Sequence, residues 1–377
     1  MQTDVLIVGA GLAGLSLADQ LQEIGIDYQL IEARERIGGR ILSHSFGDGS
    51  FDMGPAWFWP GQPRLAAMAK RFDLEIFEQY AAGEILSEDN RGTVRRGIGF
   101  SSMQGSYRMA GGLGELTYSL AAVLPKDRLH LNSKLKLLER QDARVNAHVE
   151  MQNGSLNIEA RKVVLAIPPR VAERTIQCSP DISAQARSAL SAIPTWMAGQ
   201  AKIVAIYDRP YWREAGLSGD AMSQFGPLVE IHDASPFKGG PNALFGFVGV
   251  PADMRSARDD LLLELVREQL HRLFGGVLPE PQKLLLQDWA QEEFTATSED
   301  RAPVRGHLAY GYPNSFRNMW NNSLILGSTE VAPQFGGYLE GALEAAENAL
   351  KLLQEKNVNV TNQNRPNLRQ AFTGNAI

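Results

Sequence analysis

Residues 3–33, the stretch TDVLIVGAGLAGLSLADQLQEIGIDYQLIEA, are the most informative about the fold class. Its apolar pattern predicts a buried strand from Val5 to Val8, an amphipathic helix from Leu12 to Ile24 and a second strand from Tyr28 to Glu32. Two strands joined through a helix pair in parallel. The stretch therefore predicts an α/β fold that opens with a βαβ unit.

The turn between the first strand and the helix carries Gly9, Gly11 and Gly14 in the spacing G-x-G-x-x-G. The first glycine permits a tight turn, the second lets the backbone approach a pyrophosphate, and the third lets the helix pack close to the strand. The helix N-terminus then offers N–H groups and a positive dipole end to the pyrophosphate. Glu32, at the end of the second strand, can accept from a ribose hydroxyl. The spacing alone also suits a plain tight turn, but the strand, helix and acid around it favour a dinucleotide site.

The glycine spacing alone does not distinguish binding of NAD from binding of FAD. The following segment, EARERIGGRI, favours FAD. Arg34 and Arg40 lie on either side of Gly38 and Gly39, directly after the ribose-binding acid. Arg40 on such a loop could reach the pyrophosphate or the ribitol. The alternative is a solvated charged loop with a glycine turn.

Composition excludes some classes of function. The chain has 377 residues with a formal net charge of −6, which disfavours a nucleic-acid partner. Cys178 is its only cysteine, so we expect no intramolecular disulfide, no metal site built on thiolates and a reducing compartment. No apolar run approaches the roughly 20 residues that span a bilayer, no leader precedes the first strand, and the tail is polar. We expect a soluble, cytoplasmic protein that does not bind membranes.

Several later segments of the chain are strand-like, and the chain is long enough for two lobes. A helix is predicted between Ala257 and Leu273, and another from Leu339 to Leu352 after the strand-like SLILGSTE. The strand-like segments are KLKLLE at 134–139, RVNAHVEM at 144–151, KVVLAIPP at 162–169, AGQAKIVAIY at 198–207, ALFGFVGV at 243–250 and KLLLQDWA at 283–290.

The opening segment, with EARERIGGR and FDMGPAWF, resembles the flavin-containing amine oxidase family, whose best-known members are the monoamine oxidases. The resemblance continues in order along most of the chain. It implies a two-lobed α/β (α+β) protein in which a Rossmann-like FAD-binding domain of the glutathione-reductase/amine-oxidase type is interleaved with a substrate domain built on a mixed sheet plus helices. The further matching segments are GGLGEL at 111–116, KVVLAIPP at 162–169, AKIVAIYDRPYW at 201–212 and GSTEVAPQFGGYLEGALEAAENA at 327–349.

This resemblance divides the chain between the two lobes. The FAD-binding domain takes residues 1–60, 106–190 and 301–355, the substrate domain takes 61–105 and 191–300, and 356–377 form a polar tail.

The resemblance also implies which residues meet the cofactor. Glu330 corresponds to the acid at the ribitol and pyrophosphate region, and the backbone N–H near Leu339 to a donor at the pyrimidine edge of the flavin. Leu135 corresponds to a backbone contact to adenine. The full expected FAD set is Gly9, Gly11, Ala13, Gly14, Glu32, Ala33, Arg34, Gly38, Gly39, Arg40, Gly54, Pro55, Ala56, Trp57, Leu135, Glu330 and Leu339.

Four residues are expected at the reacting end of the site. Lys202 is the one cation in the apolar run of its strand, and in the family the matching lysine holds a water at the flavin N5; the alternative is a lysine that reaches water at a strand edge. Tyr338 matches one wall of the family's aromatic cage for the amine. Tyr310 is the first choice for the second wall and Tyr312 the second, while Trp289 matches an aromatic position beside the pocket. Any single aromatic residue could instead be core packing.

One departure from the family bears on how the flavin is held. Monoamine oxidases attach FAD through a cysteine in the stretch that here reads APVRGHLAYGYP, and this stretch contains none. We therefore expect non-covalent FAD; a linkage through another residue, such as His307, is the alternative.

The leading functional hypothesis is an FAD-dependent amine oxidase. A small amine gives up a hydride to the flavin, the imine hydrolyses, and dioxygen takes the electrons and yields hydrogen peroxide. One alternative is a C–C desaturase of the phytoene desaturase or protoporphyrinogen oxidase type, and another is a non-catalytic flavin-binding protein. The sequence leaves the substrate, the electron acceptor and the oligomeric state open.

Overall fold

The structure is a computed structural model that describes residues 1–255, 259–302, 306 and 308–355. The predicted polar tail and His307 lie outside these residues. The strands are β1 (Gln2–Val8), β2 (Tyr28–Ile31), β3 (Ser43–Phe46), β4 (Gly49–Asp52), β5 (Ile76–Glu78), β6 (Glu84–Glu88), β7 (Val94–Gly97), β8 (Tyr107–Met109), β9 (Leu129–His130), β10 (Ser133–Gln141), β11 (Arg144–Met151), β12 (Gly154–Leu165), β13 (Gln177–Ser179), β14 (Ala201–Tyr207), β15 (Leu217–Ser223), β16 (Leu228–Asp233), β17 (Asn242–Val248), β18 (Lys283–Asp288) and β19 (Leu324–Leu326).

The helices lie on the faces and flanks of these strands. They are α1 (Leu12–Glu23), α2 (Pro63–Arg71), α3 (Gly114–Ala122), α4 (Pro169–Thr175), α5 (Ala184–Ala192), α6 (Tyr211–Glu214), α7 (Ala252–Arg255), α8 (Asp259–Phe274) and α9 (Leu339–Gln354).

The first sheet contains the predicted βαβ unit. Its strand order is β13-β10-β11-β12-β1-β2-β9, with β19 also beside β12. β1 lies between β2 and β12 and is parallel to both, which is the arrangement expected of a strand buried on two faces. α1 packs against α9, so the C-terminal helix returns to the lobe that the N-terminus begins.

Most of the predicted elements are present with small differences at their ends. α1 ends at Glu23, one residue before the predicted end, and α9 begins at Leu339 as predicted but continues to Gln354. α8 covers Asp259–Phe274, and the first two residues of its predicted range lie outside the described residues.

The second sheet has the order β18-β14-β17-β16-β15-β6-β7. Its pairs are antiparallel except for β15 with β6, so it is a mixed sheet, and α8 covers it with buried Val266 and Leu270. β6 and β7 come from an early part of the chain and the other five strands from a later part, so the two lobes are interleaved. The expected α/β class is confirmed, and the exact segment boundaries of the lobes stay our proposal.

Within 1–255, 259–302, 306 and 308–355, no helix has both the length and the apolarity that crossing a bilayer requires. The same residues contain no cluster of three or more His, Cys, Asp or Glu side chains suited to hold a metal ion.

Candidate active site

A cavity of about 590 Å³ extends from the glycine-rich turn after β1 to Lys202 on β14 of the second sheet. Its walls therefore come from both lobes. Of the residues expected to meet the cofactor, those that line the cavity are Gly9, Gly11, Ala13, Glu32, Ala33, Arg34, Gly38, Gly39, Arg40, Gly54, Pro55, Ala56, Trp57, Leu135 and Leu339.

The three glycines of the turn have different surroundings. Gly9 has a φ of +103°, which side-chain-bearing residues rarely adopt. A Cβ on Gly14 would lie 1.9 Å from the Gly9 carbonyl oxygen, so Gly14 lets α1 pack directly against the turn. A Cβ on Gly11 would meet no protein atom closer than 3.9 Å. It would therefore occupy space that only a bound ligand could fill. This open cradle at the start of α1 fits a pyrophosphate.

Glu32 is buried at the end of β2 and organises the backbone around the cradle. Its carboxylate accepts from the Ala10 N–H at 2.8 Å and from the Arg34 N–H at 3.0 Å. The Arg34 guanidinium in turn donates to Glu292 at 3.0 Å and to Thr295 at 2.9 Å. Glu32 therefore fixes the loop that would face a ribose, and the residue itself lines the cavity.

Glu330 lies behind the cavity wall and not on it. It is fully buried, and its Oε1 accepts from the Arg40 guanidinium at 2.7 Å, so it holds the arginine that does line the cavity. Within the described part of the chain, Glu330 Oε2 and the Ser328 hydroxyl are buried without a hydrogen-bond partner. Ser328 lines the cavity, and a polar edge of a cofactor would satisfy it. The residues present thus fit a flavin dinucleotide.

We expect Glu32→Ala and Glu330→Ala each to weaken retention of FAD. The first change removes an acceptor from the cradle, and the second leaves Arg40 without the carboxylate that orients it. Losing a charged hydrogen-bond partner costs about 1.5–3 kcal/mol, or roughly ten- to a hundredfold in affinity. Flavin fluorescence released on dilution measures the dissociation constant.

The exposed Glu35, three positions after Glu32, provides a matched control. Glu35→Ala is expected to bind FAD as the parent chain does. Unchanged affinity in both Glu32→Ala and Glu330→Ala would show that neither carboxylate supports the cofactor.

Lys202 is almost completely buried on β14 and reaches the opposite lobe. Its Nζ donates to the Gly54 carbonyl at 3.2 Å and lies 4.1 Å from the centroid of the Phe245 ring. Burial, which disfavours the charged form, lowers the pKa of Lys202 to about 7. The lysine can therefore change its protonation near neutral pH, and it does not reach water at a strand edge as the alternative interpretation required.

Two other buried charges accompany Lys202. Asp52 raises the pKa of Lys202 and Arg108 lowers it, although burial has the larger effect. Burial also raises the pKa of Asp52, which accepts from Ser43 at 2.6 Å and from the Leu113 N–H at 2.9 Å. Arg108 donates to the Ser235 and Ala234 carbonyls. The electrostatic field at Lys202 is therefore set in part by Asp52 on β4 and Arg108 on β8.

The loop that follows β4 carries the expected flavin contacts Gly54, Pro55, Ala56 and Trp57, and two hydrogen bonds hold it. Trp289 Nε1 donates to the Met53 carbonyl at 3.0 Å, and Trp57 Nε1 donates to Gln79 Oε1 at 2.8 Å. Trp289 and Trp57 both line the cavity. A role for Trp289 beside the substrate stays our proposal.

The aromatic residues around Tyr338 differ in part from those expected. Tyr338 lines the cavity, and its ring meets Trp59 edge-on with the centroids 6.2 Å apart. Trp196 also lines the cavity, next to the turn at Gly337. Trp59 stands two positions after Trp57, and in an extended segment that spacing would place both rings on one side. No pattern in the sequence around Trp196 points to the cavity.

Tyr310 and Tyr312, the two choices for the second wall of the cage, are not among the lining residues. The Tyr310 hydroxyl donates to the Pro194 carbonyl at 3.0 Å, and its ring packs under the turn that precedes Tyr338. The Tyr312 hydroxyl accepts from the Leu326 N–H. Both tyrosines are bound to backbone groups, and Tyr310 supports the turn from behind.

The model of the family described as flavin containing amine oxidoreductase matches residues 12–97 and 84–349. The chain belongs to this family. It is 23% identical to a probable flavin-containing monoamine oxidase A of Dictyostelium discoideum over 94% of this chain and 98% of the relative, and 23% identical to a putrescine oxidase of Kocuria rosea over 78% and 84%. Cyclohexylamine oxidase from Brevibacterium oxydans has the same fold, with a TM-score of 0.76 and 18% identity over 93% of this chain and 98% of that one.

Membership of this family makes the chain an oxidoreductase with a flavin cofactor. The expected family and fold are confirmed. The G-x-G-x-x-G turn, whose Gly9 and Gly11 line the cavity, matches the dinucleotide form, FAD.

Proposed function

We propose that this flavoenzyme is an amine oxidase whose electron acceptor is dioxygen. The substrate carbon bearing the amine loses a hydride and the nitrogen loses a proton, which gives an imine; dioxygen takes the two electrons and two protons and leaves as hydrogen peroxide. Water then hydrolyses the imine to a carbonyl compound and ammonia, or to a smaller amine. Bound FAD supplies the hydride acceptor in this chemistry.

The observation that carries the proposal is that one cavity joins the dinucleotide cradle to a largely apolar chamber with an ionisable lysine at its end. The walls of this chamber are aromatic at Trp57, Trp59, Trp196, Phe247 and Tyr338. Ring faces orient an amine in either its neutral or its charged form. We keep Tyr338 as one wall and assign the other walls to Trp59 and Trp196 in place of Tyr310 or Tyr312.

Lys202 places a proton donor beside the end of the cavity at which the substrate reacts. The Gly54 carbonyl orients its Nζ, and a pKa of about 7, lowered by burial, makes the ammonium and the amine forms both accessible. A cation in a buried site also attracts the negative charge that dioxygen gains on reduction.

The proposal includes a flavin that is bound without a covalent link. Cys178 lies on β13, does not line the cavity, and has its pKa raised to about 11 by burial, so it is an inert thiol. A chain with a single cysteine fits a reducing compartment, and we propose a cytoplasmic enzyme.

We expect acid precipitation of the yellow protein to leave its flavin in the supernatant. The physical reason is that non-covalent contacts are lost when the fold is lost. Absorbance of the supernatant and the pellet measures the partition. Flavin that stays with the pellet would contradict non-covalent binding and would point to a linkage through a residue other than cysteine.

Oxygen consumption with a panel of primary amines, diamines and amino acids tests the oxidase proposal. We expect peroxide to form in a one-to-one ratio with oxygen consumed. Reduction of the flavin by an amine without oxygen uptake would identify a dehydrogenase with another electron acceptor. Activity only with a hydrocarbon that is dehydrogenated at a C–C bond would identify a desaturase.

A further inference from the structure

The sheet face that forms one side of the chamber continues beyond it without a cover. Glu230 on β16 lines the cavity and is paired with Met222 on β15. Met222 is paired with Ser87 on β6, and Ser87 is paired with Arg95 on β7. Directly paired residues of neighbouring strands present their side chains on the same face of a sheet. Met222 is 52% exposed and the Arg95 side chain is 73% exposed, so this face is open from β15 outward.

Two apolar side chains in the loop after β7 are exposed beside this face. Ile98 is 98% exposed and Phe100 is 80% exposed. Their loop is fixed to the chamber, because the Ser102 hydroxyl donates to Glu230 Oε1 at 2.7 Å and Met103 lines the cavity. The two exposed side chains therefore lie near the rim of the chamber.

The surface around these two side chains is basic. Residues 89–100 contain three arginines and one acid, in a chain whose net charge is −6. Arg91 and Arg95 are exposed, and Arg95 lies 3.6 Å from the one acid, Asp89. Apolar side chains with an excess of positive charge are complementary to a surface that is apolar and acidic. We call this surface the rim patch, and its residues are Arg91, Arg95, Ile98 and Phe100.

The chain is short at the rim patch compared with its family. The two ranges that match the family model overlap at 84–97, which is the hairpin of β6 and β7. The alignment with the Dictyostelium relative runs over 460 residues, more than the 377 of this chain. The relative therefore has residues without a counterpart here, and the overlap places this difference at the hairpin. The open sheet face is thus a feature of this shorter chain.

The outer side of α8 carries a surface of the opposite charge. It exposes two leucines one turn apart, each 41% exposed, and three exposed acids that follow one another at intervals of four residues beside them. This side faces away from the second sheet, because Leu262, Val266 and Leu270 are buried on the other side of the helix. Residues 259–268 contain four acids and one arginine. We call this surface the α8 stripe, and its residues are Asp260, Leu261, Glu264, Leu265 and Glu268.

We propose that the rim patch of one copy of this chain docks on the α8 stripe of a second copy, and that the same contact is made in reverse. A twofold axis repeats every contact, so a basic patch and an acidic stripe on one chain suffice to form a closed dimer. The opposite charges set the orientation, and the apolar side chains of both surfaces supply the contact that excludes water. The second copy then lies at the rim of the chamber. The association itself does not depend on the proposed oxidase function.

Sedimentation velocity of the FAD-loaded protein over a range of concentrations tests the dimer. We expect the parent chain to sediment with twice the mass of one chain. The double variants Arg91→Glu/Arg95→Glu and Glu264→Lys/Glu268→Lys should each sediment as a monomer, because like charges then face each other in both contacts. All four side chains are exposed, so circular dichroism and FAD content should match the parent chain.

An equal mixture of the two double variants should restore the dimer. The acidic rim patch of one variant then meets the basic α8 stripe of the other, and the second contact is that of the parent chain. Phe100→Ser should raise the dissociation constant of the dimer by roughly ten- to a hundredfold, because it removes one large apolar side chain from the contact. Arg161→Glu changes an exposed charge on β12 of the first sheet and should leave the dimer intact.

Three results would overturn the proposed dimer. They are a parent chain that stays monomeric at every concentration, a dimer that persists in both double variants, and a mixture of the variants that stays monomeric. Binding of the parent chain to vesicles of phosphatidylserine and phosphatidylcholine in place of self-association would assign the rim patch to a membrane surface and would also overturn it. A dimer that obeys the charge exchange but oxidises no amine would support the interface and contradict the oxidase function.

Discussion

Gly14→Ala is expected to prevent formation of a stable flavoprotein. The added methyl group would lie 1.9 Å from the Gly9 carbonyl oxygen and 3.1 Å from its carbon, and both are backbone atoms that cannot rotate away. α1 would have to move off the turn, and this displaces the helix from the buried core it shares with β1. Overpacking of a rigid site costs about 1–3 kcal/mol or more. Thermal unfolding followed by circular dichroism measures the loss.

Gly11→Ala provides the matched control, because the same methyl group has room in the protein there. We expect this variant to fold with nearly the melting temperature of the parent apoprotein but to retain little FAD, since the methyl group occupies the cradle. A Gly14→Ala variant that melts like the parent would contradict the close packing of α1. A Gly11→Ala variant that binds FAD normally would contradict the position of the pyrophosphate.

Lys202→Met is expected to slow reoxidation of the reduced flavin by oxygen, by roughly 100-fold, the usual effect of removing one preorganised electrostatic group. Methionine has a similar volume without the charge, so packing and FAD content should be preserved. In the parent chain, burial lowers the pKa of Lys202 to about 7, so the ammonium is present below that pH and lost above it. The reoxidation rate should therefore fall as the pH rises through about 7, and the variant should lack this dependence.

Stopped-flow mixing of dithionite-reduced enzyme with oxygenated buffer measures this step without a known substrate. Lys162→Met is the control, because Lys162 is half-buried on β12 and donates to the Leu352 and Leu353 carbonyls but does not line the cavity. It should reoxidise at the parent rate. A Lys202→Met variant that matches the parent at every pH would show that Lys202 takes no part in the reaction with oxygen. A variant that loses FAD would show that the lysine has a structural role.

The glycine-rich turn and the βαβ unit were recognisable in the sequence because their signals are local. Gly9, Gly11, Gly14 and Glu32 fall within one βαβ unit, in which strand, turn and helix fix their relative positions. Lys202 was detectable as one charge in an apolar strand, and the structure adds its contact with Gly54, 148 residues away in the chain.

The parts that the sequence did not predict depend on long-range contacts. Glu330 was expected at the cofactor, but it lies behind Arg40, and 290 residues separate the two in the chain. Trp196 reaches the cavity because its loop packs against the turn at Gly337. Such packing leaves no periodic pattern in the sequence.

Anaerobic mixing of the oxidised, FAD-loaded enzyme with amines tests whether the flavin of this protein takes electrons from an amine. We expect the flavin absorbance to bleach in a single turnover with at least one class of amine, at a rate that saturates with amine concentration. Admitting oxygen should restore the colour and yield one equivalent of peroxide. Flavin that stays oxidised with every monoamine, diamine and amino acid tested, in a protein that dithionite reduces and oxygen reoxidises normally, would contradict the proposed oxidation of amines.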